Sequence, residues 1–185
     1  NLQETQRLPS IAEINLNYFG AEQCDPGFSF GPFSRTSYVL HFVRSGCGKL
    51  YVREKAFEIR AGQAFLLYPG EETVYQADQK DPWCYMWIGF HGLRAQEMMD
   101  KAGFTREEPV ITFEKMELLT GLMEQLLQAK ELTYVNGLLR MGYLYQLMGT
   151  LIQYHSCAEE EHQESEDVNS MYVRTAINLL INSKD

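Results

Sequence analysis

The residues from Trp83 to Phe90 read WCYMWIGF. In an extended chain Trp83, Tyr85 and Trp87 face one side, and Cys84, Met86, Ile88 and Phe90 face the other. The second set is plain core. The first joins flat apolar area to N–H and O–H groups, which suits a small polyol that stacks its C–H face and bonds through its hydroxyls. On TVYQ, Thr73 and Tyr75 share a face and add two more hydroxyls. Arg35 lies just before the first strand, YVLHFVRS, and offers a planar fork of donors. Pro9, with Leu8 and Ile11, lies in an N-terminal arm that could close over such a site. Seven residues therefore form the candidate binding set: Pro9, Arg35, Thr73, Tyr75, Trp83, Tyr85 and Trp87. The same aromatics could instead fill the interior of a small barrel.

Catalytic patterns are missing. The histidines stand at 41, 91, 155 and 162, without an H-x-H or H-E-x-x-H pair, whereas a barrel metal site needs two or three converging imidazoles. His41, in a strand, reads as a satisfied polar group. Glu71 and Glu72 are adjacent, and neighbours on a strand point to opposite faces, a poor arrangement for shared acid–base work. No nucleophile elbow, phosphate loop or dinucleotide fingerprint occurs. No catalytic residue, metal or cofactor is assigned.

Short runs must position these side chains. YVLHFVRS, KLYVR, AFEIR, QAFLLY, TVYQ and WCYMWIGF are strand-like and separated by Gly and Pro turns, with Glu54-Lys55 as a two-residue hairpin connection. Such spacing predicts an antiparallel sandwich or barrel. Residues 1 to about 35 carry Pro9, Pro26, Gly27, Gly31 and Pro32 and read as irregular. After His91 the period becomes helical: a short helix ends at Gly103, Leu118 to Leu127 form an amphipathic one, and Tyr134 to His155 another. On this last helix Met141, Leu144, Tyr145, Met148, Leu151 and Ile152 make a stripe. With Leu138, Leu139, Tyr143, Leu147 and Tyr154 on other faces, one barrel would leave some of these exposed, so the stripe is expected to serve partly as a homodimer seam.

Composition bounds the partners. A chain of 185 residues with 45% hydrophobic content suits one domain with a helical appendage. Its formal net charge of −9 argues against direct nucleic-acid binding, and no apolar run suggests a membrane partner. CAEEEHQESED, between Cys157 and Asp167, reads as a solvated linker. Four dispersed cysteines without a C-x-x-C pair fit reduced thiols in the cytoplasm.

From Gly62 the chain reads GQAFLLYPGEETVYQADQKDPWCYMW, with the outline of a cupin motif that has Thr73 where a cupin enzyme often places histidine. The ordered combination of P-G-E, Y-Q-A-D…D-P-W and W-I-G-F within Tyr18–Gly92 resembles the N-terminal domain of AraC-family transcription regulators of sugar use. The resemblance implies a mainly β fold with α: a cupin-like antiparallel barrel (jelly roll) that binds a small effector such as a mono- or oligosaccharide, followed by a helical dimerisation segment. It further implies that DNA is reached only through a C-terminal helix-turn-helix domain, of which YVRTAINLLINSKD resembles the opening. The expected organisation is arm and barrel over 1–92, helical segment over 93–156, linker over 157–170 and the start of the DNA-binding domain over 171–185. In the arabinose-responsive member an arginine, a tyrosine and a tryptophan hold the sugar beneath the arm. Trp87, Tyr75 and Arg35 match these, and Tyr85 replaces a histidine. The alternatives are a metal-dependent cupin enzyme and a dimerisation domain whose barrel is packed shut.

Overall fold

Residues 3–4 and 13–155 are described by the computed structural model. Their strands form two antiparallel sheets. One runs in the order β1 (Gln3–Glu4), β2 (Asn15–Gln23), β9 (Cys84–His91), β4 (Tyr38–Ser45), β7 (Gln63–Leu67) and β10 (Val110–Thr112). The other runs β3 (Ser29–Ser34), β8 (Glu72–Ala77), β5 (Cys47–Val52) and β6 (Lys55–Arg60). Three helices follow the main β run: α1 (Ala95–Lys101), α2 (Met116–Gln128) and α3 (Tyr134–His155). The architecture is a cupin-like barrel backed by helices.

The larger sheet is buried on both faces, which explains why β4, β7 and β9 are apolar almost throughout. Leu40, Phe42, Ala64, Leu66, Met86, Ile88 and Phe90 point to the helices and share a core with them. Val39, Val43, Phe65, Leu67, Trp83, Tyr85 and Trp87 point into the barrel. The alternation expected along WCYMWIGF is therefore a division between two cores. The β5–β6 hairpin turns at Arg53-Glu54, both with positive φ, one residue before the expected position and as a two-residue loop with left-handed centres requires.

Three expectations need correction. Residues 13 to 35 are not irregular: β2 is nine residues long and pairs with β9, and β3 forms an edge of the smaller sheet. A register shift between Leu16 and Tyr18 interrupts the alternation of β2, and β3 is exposed along its whole length, so neither carries a clean period-two signal. The barrel does not end at residue 92, because Val110–Thr112 pairs with β7. The expected dimer stripe is mostly internal. Leu144, Met148 and Leu151 are buried in the chain's own core with Leu147, and Met141 and Ile152 pack against it, whereas Tyr145 is exposed. Burial of each such side chain contributes about 1.5–3 kcal/mol, so the barrel and α2 claim this face. The α2–α3 connection is tied by Arg140, buried and donating from Nη1 to the Ala129 carbonyl at 2.7 Å and the Glu131 carbonyl at 2.9 Å. A guanidinium suits the negative end of α2.

Pro9, the linker over 157–170 and the segment 171–185 lie outside the described residues. Among the described residues no helix is long and apolar enough to cross a membrane.

Candidate functional site

The inward face of β4, β8 and β9 leaves a cleft of about 360 Å³ at one side of the barrel. Register sets its lining. His41 stands opposite Phe65 on β7 and opposite Trp87 on β9, so its ring is flanked by both, at 4.3 Å and 6.4 Å between centroids. Tyr85 lies edge-on to His41 at 5.2 Å and to Trp87 at 5.6 Å. Tyr75 comes across from the smaller sheet, 5.2 Å from His41. Glu22 on β2 pairs with Tyr85 and places a half-buried carboxylate on the same wall.

The mouth is built by β3. Phe30 stacks on Tyr75 at 5.5 Å, and Phe33 meets Phe30 edge-on at 6.0 Å. Arg35 lies 5.1 Å from the Phe30 ring and 5.3 Å from the Phe33 ring, and its Nη1 donates to Thr73 Oγ1 at 3.2 Å. Cation–π contacts and the threonine hold the guanidinium in place with donors to spare. The bend that turns both rings to the mouth runs through Gly31, with φ +111, where a side chain would collide with the Thr73 carbonyl oxygen.

Burial favours the neutral form of the imidazole and the phenols of this cleft. It holds the His41 imidazole well below its ordinary pKa, with the Arg35 charge acting in the same direction. The Val39 carbonyl opposes this without satisfying the ring: buried Nδ1 has no hydrogen-bond partner among the described residues. Burial likewise raises the Tyr75 and Tyr85 phenols above their ordinary values. The site thus offers three phenols, one neutral imidazole, one carboxylate and one guanidinium between aromatic walls. That inventory suits a neutral, hydroxyl-rich ligand.

Of the expected site residues, Arg35, Tyr75, Tyr85 and Trp87 line the cleft. Thr73 is buried and acts through Arg35. Trp83 does not line it: fully buried, it stacks on Phe65 at 5.7 Å and lies against Gly48, forming part of the inner barrel core. His41, Tyr18, Glu22, Phe28, Phe30 and Phe33 were not among the expected residues, yet all line the cleft. Only His41 had a legible signal, since alternation along YVLHFVRS puts it with Val39 and Val43. Glu71 is held by Arg106 at 2.6 Å and Arg53 at 3.6 Å and does not line the cleft. A larger groove of about 710 Å³ is edged by Lys49, Glu58, Arg60, Asp78 and Asp81, but its lining is mostly polar, with Tyr51 as its one aromatic residue, unlike an apolar small-ligand site. Among the described residues no group of three or more His, Cys, Asp or Glu could hold a metal ion.

The model of the AraC-like ligand binding domain matches residues 15–148, which include every residue that lines this cleft. The chain belongs to the AraC-like ligand-binding domain family. It is 35% identical over 154 residues to the Msm operon regulatory protein of Streptococcus mutans serotype c, covering 83% of this chain and 55% of that one. The raffinose operon transcriptional regulatory protein RafR of Pediococcus pentosaceus is 39% identical over 90 residues, 47% of this chain and 32% of its own length. This AraC-like domain thus spans about half, or less, of the length of these curated relatives. Among solved structures, a Cupin 2 conserved barrel domain protein of Salinispora arenicola CNS-205 matches at 19% identity with a TM-score of 0.36, over 48% of this chain and 72% of that one.

Proposed function

We propose that this AraC-like domain is the sugar sensor of a bacterial operon regulator. The observation that carries the reading is the cleft itself, in which Trp87, Tyr85 and Tyr75 surround a neutral His41 whose Nδ1 has no partner among the described residues, beneath Arg35. A pyranose offers a C–H face for the rings and hydroxyls for the imidazole, the phenols and the guanidinium. The relative named for a raffinose operon supports a sugar as the effector. The open cleft weighs against a barrel packed shut for dimerisation alone. The relatives named as operon regulators favour a binder over a metal-dependent enzyme.

The sensor acts as a homodimer, with the exposed face of α3 as the seam and DNA reached through a separate C-terminal domain. Effector binding favours one arrangement of arm or dimer over another and so changes how the two DNA-binding domains meet their half-sites; a ligand with equal affinity for both arrangements shifts nothing. Three free cysteines at 24, 47 and 84 fit a reducing, cytoplasmic setting.

A thermal-shift panel of mono- and oligosaccharides tests the sensor reading. A sugar at a hundred times its Kd should stabilise the chain by about 2.7 kcal/mol. Trp87→Ala should stay folded and lose that response. A panel in which no sugar raises the midpoint, with Trp87→Ala indistinguishable from the parent, overturns the assignment.

A further inference from the structure

The aromatic surface does not stop at the cleft. All six residues of β3 are exposed, with Phe30 at 40% and Phe33 at 52%. These two exposed rings stand side by side on an edge strand and continue the aromatic lining of the cleft outward. These two rings are not isolated. Phe30 lies parallel to Tyr75, 16° from coplanar, and a chain of ring contacts leads from Trp87 and Tyr85 through Tyr75 to Phe30, with Phe33 edge-on to Phe30 at the outer end. Arg35 sits over both outer rings and, among the described residues, makes one side-chain hydrogen bond, to Thr73. Its remaining donors lie at the junction of the inner and outer surfaces.

A small cleft with an aromatic ledge and a guanidinium at the threshold has the layout of two subsites. The inner one encloses one ring. The ledge can stack a second ring that remains partly in water, and Arg35 can bond hydroxyls of either ring or the bridge between them. Raffinose, the sugar in the name of one relative's operon, is a trisaccharide with rings enough for both. Resting on the sensor reading above, we infer that the effector is a neutral oligosaccharide of two or three sugar residues, with one residue held in the cleft and the next stacked on the Phe30–Phe33 ledge.

Calorimetric titration of the 185-residue chain with two nested series, galactose–melibiose–raffinose and glucose–maltose–maltotriose, tests this against the exposed substitution Phe33→Ala. The parent should bind a di- or trisaccharide about tenfold more tightly than the monosaccharide of the same series, the scale of one aromatic stacking contact. Phe33→Ala should lose that advantage and melt at the parent's temperature, and because Phe33 only rims the cleft, its affinity for the monosaccharide should fall by less than its affinity for the longer sugars. Monosaccharides bound as tightly as longer sugars would overturn the two-subsite arrangement and leave the sensor reading standing. So would a Phe33→Ala variant that weakens all lengths equally, or none. Absence of binding by every sugar in both series would overturn the sensor reading itself, and the inference with it.

Discussion

His41 carries an unusual burden for one side chain. It is 2% exposed, lies parallel to Phe65 and keeps a buried nitrogen without a partner among the described residues. An unsatisfied buried polar atom costs about 1–3 kcal/mol, and a ligand hydroxyl that reaches it recovers part of that cost. The same burial couples His41 to pH. The unfolded imidazole takes up a proton near ~6.5, while the folded one stays neutral to well below that value. The unfolded chain therefore binds more protons in that window, and folding stability is fully present above the unfolded value. It declines as pH falls from the unfolded towards the folded pKa, by at most about 1.4 kcal/mol per pH unit. His41→Phe keeps a ring beside Phe65 and removes the titration. Urea midpoints at several pH values between 7.5 and 5.5 should fall more steeply for the parent than for the variant. Parallel slopes would show that His41 does not titrate with folding. The sequence exposed the position of His41 but not its condition, because whether a polar atom is satisfied depends on what the fold brings to it.

At the scale of elements, β5 and β9 show how a small residue places a large one. A Cβ on Gly48 would stand 2.5 Å from the Trp83 ring and 2.5 Å from the Gln76 carbonyl oxygen. The bare backbone lets Trp83 lie flat against β5, away from the cleft, although it shares a face with Tyr85 and Trp87. Gly48→Ala must displace either a strand backbone or a fully buried indole, and overpacking of that kind costs about 1–3 kcal/mol. Chemical denaturation should show the loss in the midpoint, and a shift in tryptophan emission should accompany it. A variant as stable as the parent, with unchanged emission, would mean that Trp83 is less tightly held than its packing indicates. Strand alternation told which residues share a face. It did not tell which of them reach the cleft, because that depends on the strand across the barrel.

For the whole molecule the decisive asymmetry is that of α3. Its inner face holds Leu144, Leu147, Met148 and Leu151 in the core, and its outer face exposes Val135, Leu138, Leu139 and Tyr145. Gly142 and Gly149 lie on that outer face with open space beside them, which permits close approach of a second helix. The proposed homodimer therefore predicts that Leu138→Asp shifts the chain to monomer in sedimentation while leaving its melting temperature and sugar affinity close to the parent's. A parent chain that sediments as a monomer at high concentration would remove the seam. A charged residue on an already exposed site should change stability by no more than about 0.5 kcal/mol, so oligomeric state is the informative readout.

Much of this protein was determined by local pattern. Short strand-like runs between Gly and Pro turns specified β4 to β9, and period-three-and-four spacing specified α2 and α3, because these signals are local to a single segment. The aromatic chemistry of Tyr75, Tyr85 and Trp87 was legible for the same reason. Only the tertiary structure decided that β2 and β3 are strands, that β10 joins the barrel sheet, that Trp83 is core, and that the Met141–Ile152 stripe packs mostly inward. Periodicity establishes that a helix or strand has two unlike faces. Which neighbour covers each face is settled by contacts between residues far apart in the chain, such as His41 with Phe65 and Trp87, or Phe30 with Tyr75. The cleft is made of those contacts.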